Sequence, residues 1–188
     1  MKSLVQSLAA IQQRLGNGGI ESAVIGAIAL GAWGEPRLTR DADLKVLLDR
    51  DGAQRLLDIL GDAYVPLQPD PLRAFHDNGV AFFRDDRGSR IDLLLADVGY
   101  DEEAIRRAVD VKVLEEAVLR IVTPEDLIIY KLISTREQDH IDAASVVRRQ
   151  ASMLNHRHIL NWLRQFELAL DDGTLVAEYR RLRKKYGS

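Results

Sequence analysis

An α/β fold of the α+β kind is predicted for these 188 residues: a mixed sheet with flanking helices, then a C-terminal helical domain. Three observations predict it. Short apolar or alternating stretches interleave with helical patterns over residues 20–123. From residue 124 onward every pattern is helical. Between them, one alternating strand at 41–49 carries two carboxylates, Asp41 and Asp43, on the face opposite Ala42, Leu44, Val46 and Leu48.

Leu4, Leu8, Ile11 and Leu15 recur at helical spacing, so the chain opens on an amphipathic helix. Gln6, Gln12 and Gln13 interrupt any apolar core, so this helix is not a secretion signal. Gly16, Gly18 and Gly19 permit the left-handed cap that ends it. Residues 22–26 read as a short buried strand and 27–33 as a short helix or turn. A helix spans 51–62, with Asp51 near its start and Gly61 at its end. Residues 65–79 hold three of the five prolines and read mostly as loop. Residues 80–96 read as two strands joined by the Asp85-Asp86-Arg87-Gly88-Ser89 turn. A helix with acids in its first turn covers 100–109, and a last strand covers 119–123. Thr123-Pro124-Glu125-Asp126 then supplies a cap, a proline at the first helical position and acids next. Helices follow at 124–134, 137–150, 156–170 and 174–186, so the expected domains are 1–123 and 124–188.

Composition excludes several functions. With 46% hydrophobic and 29% charged residues the chain has an ordinary globular make-up, and a net charge of −3 gives no overall pull toward nucleic acid or membrane. There are no cysteines, which rules out disulfides, thiolate nucleophiles and cysteine-ligated zinc and fits a reducing compartment. No apolar run approaches the roughly 18 residues of a membrane span. A cytoplasmic protein with no membrane partner is the expectation.

Residues two apart on a strand share a face and lie roughly 6–7 Å apart. Two carboxylates there repel unless a cation sits between them. Mg²⁺ suits such a pair, because it takes oxygen ligands from one or two carboxylates and from substrate phosphates. Asp92 is a third acid, pointing opposite to Ile91, Leu93 and Leu95. If its strand neighbours that of Asp41 and Asp43, three carboxylates share one rim and can hold two metals roughly 3.5–4 Å apart. The bland alternative is a strand end capped or facing water, and the apolar company of Asp92 argues against it.

Other residues carry two readings. The Gly26, Gly31, Gly34 spacing fits neither a dinucleotide fingerprint nor a Walker loop. A strand ending at Gly26 before a helix either presents N–H groups to phosphate or simply packs tightly. Arg37 and Arg40, flanking Thr39, either meet phosphate or balance local charge. Lys131, among Leu127, Ile128, Leu132 and Ile133, is either functional or a snorkelling lysine. Asp139 and Asp142 share a helix face and either orient Lys131 or Arg136 or face solvent. His156 and His158 fall on different faces and make no metal site, while His76 and His140 read as structural or exposed. An Arg149–His156 spacing of the ribonuclease kind is near chance. The tail at 179–188, with five basic residues and two tyrosines, reads as a solvated helix end or as an RNA-touching, base-stacking segment.

The glycine-led turn at Gly26, then Arg37-Leu38-Thr39-Arg40-Asp41-Ala42-Asp43, then Ile91-Asp92-Leu93-Leu94, resembles the nucleotidyltransferase fold of the DNA polymerase beta superfamily. Downstream, Pro124-Glu125-Asp126-Leu127, Lys131-Leu132 and an R-x-x-D-x-x-D run at 136–142 are similar to the AbiEii-type toxin-like group. The resemblance covers roughly residues 20–150. It implies transfer of a nucleoside monophosphate from an NTP such as ATP to an RNA (a tRNA end), protein or small-molecule acceptor, within a toxin–antitoxin or defence system with a cognate antitoxin. Two Mg²⁺ ions would be held by Asp41 and Asp43, with Asp92 binding one and helping to deprotonate the acceptor. Gly26, Ala27, Arg37, Thr39 and Arg40 would contact the nucleotide, and Lys131 would neutralise the triphosphate. Ala27 departs from the Gly-Ser or Gly-Gly usual in the family and removes a hydroxyl contact to phosphate. A catalytically inactive binding module or antitoxin is the alternative, and the presence of all three aspartates argues against it.

Overall fold

The computed structural model describes residues 2–96, 99–115 and 117–186, so Met1 of the first helix and Gly187 and Ser188 of the basic tail lie outside it. The chain divides into two compact units, Met1–Ile28 with Leu38–Val122 and Ala29–Arg37 with Thr123–Ser188. Among the described residues no helix is long and apolar enough to cross a membrane.

The first unit is built on a seven-stranded mixed sheet. Its strands are β1 (Ser22–Val24), β2 (Asp41–Val46), β3 (Tyr64–Pro66), β4 (Val80–Asp85), β5 (Arg90–Leu95), β6 (Val109–Leu114) and β7 (Ala117–Ile121), in the order β3-β4-β5-β2-β1-β7-β6. The β2–β5 and β1–β7 pairs are parallel and the others antiparallel. The amphipathic helix α1 (Lys2–Asn17) packs against β1, β2 and β7 and buries Leu4, Leu8, Ile11 and Leu15. Ala42, Leu44 and Val46 of β2 and Ile91 and Leu93 of β5 are fully buried on the core face. In the predicted β4–β5 turn, Asp85 Oδ1 accepts from the backbone N–H groups of Arg87 (3.1 Å) and Ser89 (2.7 Å).

The helices of this unit are α1, the start of α2 (Gly26–Trp33), α3 (Ala53–Leu60), α4 (Pro71–Asn78) and α5 (Gly99–Arg107). Residues 65–79 are not mostly loop. Asp70 accepts from the Arg73 N–H at 2.9 Å, Pro71 takes the first helical position, and Gly79 closes α4 in the left-handed conformation (φ 67°). The prolines that suggested a loop include the one that starts this helix. β3 and β6 lie at the two edges, which is why neither shows a buried, alternating pattern, and Pro66 is tolerated on such an edge.

The second unit contains α6 (Pro124–Leu132), α7 (Glu137–Gln150), α8 (His156–Leu170) and α9 (Leu175–Tyr186). Thr123 accepts from the Asp126 N–H and caps α6. Ala29–Arg37 joins this unit because Gln150 donates to the Trp33 carbonyl (2.8 Å), Arg149 to that of Gly34 (2.7 Å), and Arg148 pairs with Glu35 (2.6 Å). A single boundary at 123/124 makes no provision for that segment. Tyr179 is fully buried with its hydroxyl 2.6 Å from His156 Nδ1, so it is not available to stack a base.

His140 ties α7 to α9. Its Nδ1 lies 3.0 Å from both carboxylate oxygens of Glu178, and its Nε2 lies 2.7 Å from the Ser134 carbonyl. Both partners are acceptors, so both ring nitrogens must donate and the imidazolium is the form that fits. Burial would lower its pKa, but the bonds to Glu178 and Ser134 and the charges of Glu178 and Asp139 raise it above the ordinary 6.5. Arg181 also approaches Glu178, at 3.7 Å, and Glu137 and Lys185 line the same hollow. A raised folded-state pKa contributes stability that is complete below the unfolded value and is lost as pH rises through the folded value. The urea midpoint should therefore fall as pH rises above the ordinary histidine value of about 6.5, and His140→Gln should flatten that fall; equal pH dependence in the two proteins contradicts the assignment.

Candidate active site

β2 and β5 bring the aspartates together. Their parallel register sets Asp43 opposite Asp92 and Asp41 opposite Arg90. Period-2 alternation then turns Asp41, Asp43, Arg90 and Asp92 to one face. Asp41 and Asp43 are half-buried and Asp92 is buried, whereas Ala42 and Leu44 between and beyond the pair are fully enclosed. On the same face of β2, Lys45 reaches Asp101 of α5 at 2.6 Å.

Each carboxylate is held by a neighbour. Thr39 Oγ1 donates to Asp41 Oδ1 at 2.6 Å. Asp43 lies against Gly26, where a Cβ would overlap its carboxylate, and Gly26 has φ 64°. That position therefore requires glycine on two grounds, the left-handed backbone and the space the Asp43 oxygen fills. Asp92 is gripped from its own strand: Arg90 Nε donates to Oδ1 at 2.7 Å and Arg90 Nη2 to Oδ2 at 3.0 Å. The guanidinium also stacks on Phe82, with Cζ 4.5 Å from the ring centroid. The bond to Asp92, and then the charges of Asp92, Asp41 and Asp43, raise the pKa of Arg90 further despite an opposing burial effect. Arg90 thus stands among all three carboxylates. It is absent from the residues that the motifs single out, although its R-x-D spacing is the same two-residue step that pairs Asp41 with Asp43.

Among the described residues no three His, Asp or Glu side chains stand together as a ready metal cluster. The donor chemistry nevertheless suits a hard cation: hard oxygens from adjacent strands, two of them on one strand face. Asp41 and Asp43 fit as its donors, while both oxygens of Asp92 are engaged by Arg90.

The sheet unit also holds Ala27, which is buried, and Arg40, which is exposed. Arg37 and Lys131 belong to the helical unit and meet at one residue there. Lys131 Nζ bonds Asp142 Oδ2 at 2.9 Å and also Asp139, and Arg37 Nε bonds the same Asp142 oxygen at 3.2 Å. Asp139 and Asp142 are accordingly buried rather than facing solvent. Burial would raise the Asp139 pKa, but bonds from Lys131, Ser134 and Arg136 and the Lys131 charge hold it below its ordinary value.

The sequence matches no family model and no curated protein. Solved structures do match. The antibiotic-resistance factor ANT(2'')-Ia superposes with a TM-score of 0.56 at 14% identity, covering 90% of this chain and 96% of that one. The fold is that of the nucleotidyltransferases. An antigenic nucleotidyltransferase-like protein from Paracoccidioides brasiliensis gives 0.53 at 16% identity over 93% of this chain and 92% of that one. The lincosamide antibiotic adenylyltransferase LnuA, bound to lincomycin, gives 0.51 at 12% identity over 75% of this chain and 94% of that one.

Lys131 is 4% exposed, and removing it takes away the buried cation of two buried carboxylates, leaving Arg136 on Asp139 and Arg37 on Asp142 from the rim. Breaking a buried pair from one side costs roughly 3–5 kcal/mol. Lys131→Met should lower unfolding stability by about that much, read from urea titration; a loss under about 1 kcal/mol, the level of an exposed pair, contradicts the buried-network account.

Proposed function

We propose that this protein is a divalent-metal-dependent nucleotidyltransferase that moves a nucleoside monophosphate from an NTP to a hydroxyl-bearing acceptor. The observation that carries the reading is the parallel register that sets Asp43 against Asp92, with Asp41 on the same face, in a chain of this fold. In the reaction an acceptor oxygen forms a bond to the α-phosphorus, the bond from that phosphorus to the bridging oxygen breaks, and pyrophosphate leaves with the electron pair. The acceptor proton passes to a base.

Asp41 and Asp43 are the proposed metal ligands, and bound Mg²⁺ would supply charge neutralisation on the phosphates and alignment for in-line attack. Thr39 orients Asp41 by the bond described above. Gly26 keeps Asp43 close to the backbone turn, where a bare backbone can approach phosphate. Asp92 is the proposed third ligand and proton acceptor. Thr39, Arg40 and Ala27 are proposed to line the nucleotide, with Ala27 offering its backbone alone. For Lys131 and Arg37 the resemblance assigns the triphosphate, while their shared carboxylate supports a role inside the helical unit.

One neighbour is a lincosamide antibiotic adenylyltransferase bound to lincomycin and another, ANT(2'')-Ia, is in complex with adenylyl-2''-tobramycin, which supports ATP as donor and a small polyhydroxylated acceptor. A tRNA end or protein hydroxyl, in a toxin–antitoxin or defence pair, is the acceptor class that the AbiEii-type motifs favour. A second reading, an inactive binding module or antitoxin, is favoured by one observation: the grip of Arg90 on Asp92.

Incubation with Mg²⁺, each α-labelled NTP and a cell extract, with RNA, protein and small molecules then separated, should give label in one fraction. Asp43→Asn should lower that transfer by at least about 10²-fold, as expected when a metal-site or charge-stabilising group is removed. Equal labelling by wild type and Asp43→Asn, or none by either, leaves the binding-module reading standing. Gly26→Ala should lower transfer as well, because the new methyl displaces the Asp43 carboxylate; full activity would contradict that packing.

A further inference from the structure

Arg90 precedes Asp92 by two residues on β5, lies in register with Asp41, and binds both Asp92 oxygens in a fork. A guanidinium matches a carboxylate in this bidentate geometry better than any other side chain does. The same two oxygens are those that a divalent cation would need from Asp92. The guanidinium and the metal therefore place opposing demands on one group.

We propose that Arg90 is an internal counter-ion that competes with the divalent cation for Asp92, so that the third carboxylate enters the metal site only when the guanidinium lets go. Two features make release feasible. The Arg90 side chain is 41% exposed, against 11% for Asp92, so the cation can move toward water while the carboxylate stays. Phe82, which pairs with Asp92 across β4 and β5, offers its ring face to the guanidinium at 4.5 Å and keeps a favourable contact after the fork opens. Arg84, the cross-strand partner of Arg90, bonds the Gly88 carbonyl and is exposed, so it supplies similar charge nearby without a bond to Asp92. Arg90 acts here as a positioning residue: it touches Asp92 and sets whether that group is available.

This inference rests on the metal-site reading above, and a binding measurement separates the two. Mn²⁺ is titrated into the full chain without nucleotide, and free ion is read by electron paramagnetic resonance. Arg90→Gln should bind Mn²⁺ about tenfold more tightly than wild type, the scale of a lost charge-assisted bond. Arg90→Lys, which keeps the charge but loses the fork, should fall between them. Arg84→Gln should stay within about twofold of wild type, as for an exposed charge. In an Asp92→Asn background, Arg90→Gln should add no more than Arg84→Gln does. Unchanged or weaker binding in Arg90→Gln, or the same tightening with Asp92→Asn, overturns the competition and leaves the metal site in place. Absence of Mn²⁺ binding in wild type and Arg90→Gln alike overturns the metal-site reading, and this inference with it.

Discussion

Three carboxylates on one half-open sheet face need positive charge nearby, and the rest of this site follows from that need. Asp41 and Asp43 cannot avoid each other, because a strand repeats every two residues, and the parallel neighbour adds Asp92 directly across from Asp43. In the chain itself Arg90 meets part of that charge. Thr39 meets Asp41 with a hydroxyl, and Gly26 yields the space that the Asp43 carboxylate fills. The core side of the same strand, with Ala42, Leu44 and Val46 fully buried, prevents the face from rotating away. A one-residue slip in β2 would put those apolar groups on the site face and the aspartates in the core.

The helical unit solves a similar problem to a different end. Asp139 and Asp142 are three apart on α7 and share a face, and Lys131 of α6 fills the gap between them. All three are almost fully enclosed, so this cation has no route out of its pair. Arg37 and Arg136 add charge from the rim of the same network. The contrast with Arg90 is one of exposure. A buried lysine between two carboxylates fixes one helix on another, whereas a guanidinium that is partly in water can exchange its place with another cation.

Much of this was legible in the residues, for physical reasons that differ from place to place. The face shared by Asp41 and Asp43 follows from strand periodicity alone. The position of Asp92 depends on which strands are neighbours, and the β2–β5 pairing supplies that. The helices after Thr123 announce themselves by caps and spacing: three of the four begin on the expected residue and α9 begins one residue later. What stayed hidden was short, marginal or nonlocal. The edge strands β3 and β6 lack a buried face to pattern them, and the cap of α4 was overshadowed by its prolines. The membership of Ala29–Arg37 in the helical unit rests on bonds to residues more than a hundred positions away. Arg90 was hidden in another way, since an arginine at a strand start ordinarily reads as solvated.

A shared fold does not fix chemistry, so the weight of the account falls on the aspartates rather than on the likeness to adenylyltransferases. The most direct test is a crystal structure of the full chain with Mn²⁺ and a non-hydrolysable ATP analogue, with the ion located by anomalous scattering. The account predicts an anomalous peak bonded to Asp41 and Asp43, with the analogue's phosphates at the Gly26 turn. A peak remote from those carboxylates, or none while the analogue is bound elsewhere, would contradict it.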